Sequence, residues 1–144
     1  MTPQEVIQRL EQDLHFDSRT ALAYVHAKGF CEYCGHELIF DRLGYACAEI
    51  DHLLPRAALH SEQITGMQKN YVLSCSLCNG LKRDAPILIP GEDPESMLIN
   101  AREELIDRAR KLIEEKIQEP NEFWNQAKTM FKELGLDREQ KNAR

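Results

Sequence analysis

Two cysteine pairs, Cys31-Glu32-Tyr33-Cys34 and Cys75-Ser76-Leu77-Cys78, are the residues whose type and spacing carry the most direct chemistry. In each pair a tight turn can aim both sulfurs at one ion, and four thiolates together predict a tetrahedral zinc site. Disulfides are the weaker reading. The chain has five cysteines, an odd number, and its N-terminus Met1-Thr2-Pro3-Gln4-Glu5 lacks a basic region followed by an apolar run. With thiolates in all four positions the zinc has no place for water, so its role is structural, and its binding energy of roughly 10–16 kcal/mol goes into folding. Cys47 is left over and is expected to be an ordinary buried thiol.

A second group lies between and after the pairs. Asp51 and His52 put a carboxylate beside an imidazole, expected at the frayed end of a strand that Pro55 stops. Asn79 directly follows the last cysteine, and Lys82 and Arg83 come one turn later if a helix starts there. Any zinc that holds Cys78 therefore also fixes Asn79 relative to that strand.

In this order, Cys31-x-x-Cys34-Gly35, Asp51-His52-x-x-Pro55, Asn70-Tyr71-Val72-Leu73 and Cys75-x-x-Cys78-Asn79-x-x-Lys82, the segment from about Phe30 to Asp84 resembles the HNH endonuclease family. The resemblance implies a ββα-metal core in which His52 is the general base. It implies that Asp51 and Asn79 hold the catalytic cation, while Asn70 braces the loop and orients the histidine. Some relatives carry a further metal-binding histidine where this chain has Arg83. That residue is expected, with Lys82 and Arg56, to contact phosphate. The chemistry is coherent in its own right: an imidazole with a pKa near 6.5 can take a proton from water for attack on a phosphodiester. The oxygen donors of Asp51 and Asn79 suit Mg²⁺ or Mn²⁺.

These groups need elements to position them. Thr2-Pro3-Gln4-Glu5 has the form of a capping box with proline at the first helical position, predicting a helix over about 3–13. A second helix is capped by Asp17 or Ser18 and leaves through Gly29. Leu38-Ile39-Phe40 and Tyr45 to Ile50, separated by Asp41-Arg42-Leu43-Gly44, read as a β-hairpin. Pro55 to Lys69 is a poorly patterned connection, Tyr71-Val72-Leu73 a return strand, and a helix is expected near Cys78. Asp93-Pro94 opens one long helix with Leu105, Ile106, Ala109, Leu112, Ile113 and Ile117 on one face, ended by Pro120. A last helix from about Asn121 carries Phe123, Trp124, Ala127, Met130, Phe131 and Leu134, and the tail Asp137 to Arg144 is expected to fray. His15, His26, His36 and His60 have no partner that sequence can name.

The expectation is an α+β fold in one domain, 1–144, with a zinc-stapled ββα core over 29–85 and helical flanks over 1–28 and 93–136. At 144 residues and 42% hydrophobic content one core is the expected scale. No stretch approaches the roughly 18 apolar residues of a membrane span, so a cytoplasmic, membrane-free protein is expected. The net charge of −6 speaks against binding a polyanion by bulk attraction, yet a local basic rim suffices for a nuclease. DNA is the expected substrate, with RNA left open. Two alternatives remain: a zinc module that binds nucleic acid or protein without hydrolysis, and a nuclease subunit of a larger defence or mobile-element complex. The C-terminal helices are the expected surface for a homodimer or partner protein.

Overall fold

The computed structural model describes residues 1–59 and 61–136, so His60 and the tail expected to fray lie outside the described residues. Helix α1 (Pro3–Leu14) opens on the capping box: the Thr2 hydroxyl accepts the Glu5 N–H, and the Thr2 N–H donates to Glu5 Oε2 at 2.6 Å. Helix α2 (Ser18–Ala27) is capped by Asp17, which accepts the Thr20 N–H at 3.0 Å. Both Lys28 and Gly29 take positive φ at its exit.

The predicted hairpin does not form. The Glu37 carboxylate accepts the N–H groups of Ile39, Phe40 and Asp41, and Asp41 in turn accepts the Gly44 N–H at 2.7 Å. Side chains thus satisfy the backbone that a ladder would have used, and the supposed turn becomes helix α3 (Arg42–Ala46). Gly44 is required there, because a Cβ would sit 2.2 Å from the Glu37 carbonyl oxygen. Strand β1 (Ala48–His52) starts later than expected and pairs antiparallel with β2 (Tyr71–Cys75), from Ala48 opposite Cys75 to His52 opposite Tyr71.

The connection read as patternless holds two short helices, α4 (Arg56–Leu59) and α5 (Glu62–Thr65), and a 3-10 turn over Gln68–Asn70. Helix α6 (Ser76–Lys82) follows β2 directly, with Cys75 as its N-cap. Beyond it the single long helix is two, α7 (Pro94–Asn100) and α8 (Arg102–Gln118), separated at Ala101. The break turns Arg102 inward: its guanidinium reaches Glu32 Oε1 at 2.8 Å and the carbonyls of Lys69 and Tyr71.

Apolar burial then assembles these pieces. Leu38, Leu53, Leu54, Val72, Leu73 and Leu98 are buried with Leu105, Ile106, Ala109 and Ile113 of α8, which therefore covers the ββα unit. Helix α9 (Glu122–Glu133), capped by Asn121, behaves differently: none of its residues is buried, and Phe123, Trp124, Met130 and Phe131 remain exposed. The described residues mix helices with one small sheet, an α+β arrangement. No helix among the described residues is long and apolar enough to cross a membrane.

Candidate functional site

The two cysteine turns meet. The sulfurs of Cys31, Cys34, Cys75 and Cys78 all lie within 4.8 Å of one another, with Cys34 and Cys75 3.8 Å apart. Tetrahedral zinc with bonds of roughly 2.3 Å separates its sulfurs by roughly 3.8 Å, so the residues fit that ion. Gly35, at φ 76°, lets the first turn close, with its N–H on the Cys31 carbonyl at 2.8 Å. The S–H of Cys78 and the N–H groups of both turns hold Cys31 down to about 4, a thiolate-favouring environment. Cys47 is only half-buried, not buried as expected, and its carbonyl accepts the Ser76 N–H at 2.8 Å, which ties the end of α3 to the start of α6.

Asp51 and His52 leave β1 on opposite faces. Pairing continues through His52, so the strand is not frayed there, and alternation sends Asp51 toward α6 and His52 the other way. The His52 ring lies 5.5 Å from that of Tyr71. Burial lowers its pKa below the usual 6.5. The neighbouring Asp51 opposes this, and the cations of Arg19, Lys82 and Arg56 add to it. The imidazole is therefore neutral near neutral pH.

Asn70 is fully buried just beyond this strand end. Its Oδ1 accepts the Leu54 N–H at 2.7 Å, and its Nδ2 donates to the carbonyls of Leu54 and Thr65, each at 3.1 Å. Its own carbonyl takes the Leu53 N–H at 2.8 Å. The two residues following His52 are thus clamped.

Among the remaining predicted residues, Lys82 is placed unlike the expectation. Asp51 is buried, with its Oδ2 accepting the Tyr33 hydroxyl at 2.6 Å and facing Lys82 Nζ at 3.0 Å. Lys82, expected at a phosphate, is fully buried and also donates to the His52 carbonyl at 2.9 Å. Ammonium groups are buried only when paired, and Asp51 supplies the pair. Asn79 donates its amide to Glu49 Oε2 at 2.5 Å, bringing a second carboxylate of β1 to the start of α6. Arg83 and Arg56 are on the surface, held by the Gly80 carbonyl and by Glu62 respectively.

Sequence reasoning passed over Tyr33, Glu49 and the Glu32–Arg102 pair. Glu49 shares the parity of Asp51, which was the available signal. Tyr33 and Glu32 fill the variable positions of a cysteine turn, where spacing gives no signal at all. Arg102 and Arg110, two turns apart on α8, both grip Glu32: Arg102 its carboxylate and Arg110 its carbonyl, the latter at 2.7 Å. Burial and the Asp51 carboxylate push the Tyr33 hydroxyl well above its usual pKa, so it stays a donor.

A cysteine cluster that joins two antiparallel strands to the helix following them, with a histidine at the strand end, defines a metal-stapled ββα module. A family model described as HNH endonuclease matches residues 31–86. No curated protein and no solved structure matches the chain.

Proposed function

We propose that this chain is a metal-dependent endonuclease that hydrolyses phosphodiester bonds in DNA. The observation that carries the reading is a half-buried imidazole, His52, at the end of a clamped strand, within a segment that matches HNH endonucleases. His52 takes a proton from the attacking water through a ring nitrogen. Asn70 keeps the chain after His52 from shifting, and the Cys31, Cys34, Cys75 and Cys78 cluster, loaded with zinc, keeps α6 against β1. Asp51 and Asn79 hold the catalytic Mg²⁺ or Mn²⁺, with Glu49 beside Asn79. Such a cation, when bound, neutralises charge that builds up on the phosphate and leaving oxygen. Arg56 and Arg83 are the surface cations assigned to phosphate.

Plasmid nicking tests this. Wild type should nick with Mg²⁺ or Mn²⁺ and not with EDTA. His52→Ala should lose at least about 100-fold in rate while keeping its zinc. Equal nicking by both proteins would defeat the proposal. One observation favours a second reading, a zinc module that binds nucleic acid without cutting it: the ion pair with Lys82 occupies one oxygen of Asp51. Under that reading both proteins retard DNA in a gel and neither nicks it.

A further inference from the structure

Asp51 receives one donor from each half of the cysteine cluster. Tyr33 lies inside the first pair, between Cys31 and Cys34, and its hydroxyl is 2.6 Å from Asp51 Oδ2. Lys82 lies four residues after Cys78, one turn further on the same face of α6, and its ammonium is 3.0 Å from that same oxygen. Both side chains are buried, and Lys82 is also tied to the His52 carbonyl. Both contacts fall on Oδ2, and among the described residues no side chain bonds Oδ1, the oxygen that a cation would have to use.

We infer that Tyr33 and Lys82 are positioning residues that orient Asp51 for the catalytic cation, and that they couple the state of the four-cysteine site to it. This rests on the reading that Asp51 is a ligand of that cation. Zinc then does more than hold the fold. By fixing both cysteine turns it fixes the two donors, and with them the direction in which the free oxygen points. Groups that orient a metal ligand typically change affinity or activity by about 10–100-fold when removed. Without the Tyr33 hydroxyl, Asp51 is free to turn both oxygens onto Lys82, and less of it is available to a metal ion.

The test is direct Mn²⁺ binding by zinc-loaded protein, with free Mn²⁺ read from its paramagnetic resonance signal. Wild type, Tyr33→Phe, Asp51→Asn and the double variant are compared, with zinc content and melting temperature measured for each. Tyr33→Phe removes one oxygen atom and keeps the packed ring. It should weaken Mn²⁺ binding about tenfold with zinc content unchanged. Asp51→Asn should weaken it further, and adding Tyr33→Phe to Asp51→Asn should change nothing more, because the hydroxyl acts only through the carboxylate. Unchanged Mn²⁺ affinity in zinc-replete Tyr33→Phe, alongside a weakened Asp51→Asn, would overturn the positioning role while leaving the nuclease reading intact. Unchanged affinity in Asp51→Asn would overturn both.

Discussion

Replacing Asn70 by alanine should be among the most destabilising single changes in this chain. The side chain is fully buried and serves three backbone groups, the N–H and carbonyl of Leu54 and the carbonyl of Thr65. Leu54 and Thr65 are themselves buried, so alanine leaves those groups without partners. A buried polar group stripped of its hydrogen bond costs about 1–3 kcal/mol, and a water admitted to the small cavity recovers part of that. For the three groups together we take about 4 kcal/mol, a large share of the roughly 5–15 kcal/mol that holds a domain folded. At about 3 °C per kcal/mol for a chain of this size, the zinc-loaded protein should melt about 12 °C lower. Calorimetry on both proteins at matched zinc content measures this directly. Asn70→Asp, which keeps an acceptor for Leu54 but presents a carboxylate to two carbonyls, should be no better than alanine. A drop under about 3 °C for Asn70→Ala would mean that the clamp contributes less than about 1 kcal/mol, too little for three buried hydrogen bonds, and would refute its role.

Gly44→Ala places a methyl group against the Glu37 carbonyl, which is backbone and cannot step aside, so the urea midpoint should fall by the equivalent of roughly 1–3 kcal/mol. Arg102→Met strips the half-buried Glu32 carboxylate of its guanidinium, leaving it the Leu73 N–H and His26, and should cost about 2–3 kcal/mol; adding Glu32→Gln should return part of the loss in the same denaturation assay. Hydrogen bonds from Arg108, with the Ile89 N–H, hold Glu92 at about 2 against the usual 4.5. Because the folded value is the lower one, the pair stabilises above about pH 4.5 and is lost as pH falls toward 2. The melting temperature of wild type should therefore exceed that of Glu92→Gln at neutral pH, and the gap should close over that acid range.

Where sequence reading succeeded, local chemistry decided the outcome. Thr2 and Glu5, Asp17, Asp93 and Asn121 each begin a helix because their own side chains satisfy its first turn. The cysteine pairs were legible because spacing alone dictates what four thiolates can do. Residues 38–46 were misread because alternation of apolar residues was weighed above two carboxylates. Glu37 and Asp41 take up the backbone donors locally and leave none for a ladder. Lys82 was misread for another reason: a lysine near an asparagine looks solvated until the fold shows that Asp51 lies beneath it. The split at Ala101 carries no proline or glycine; tertiary bonds flank it, from Lys69 to the Ile99 carbonyl and from Arg102 to Glu32. Asn70 was expected to brace the chain near His52, yet its three backbone partners belong to residues 5 and 16 positions away and could not be named from pattern.

Three of the four clustered sulfurs are buried and one, that of Cys34, faces solvent. Reagents in solution therefore meet the cluster first at Cys34, on the turn that also contains Tyr33. The other three ligands are sheltered behind it, which makes this corner the weak seam of an otherwise guarded clasp.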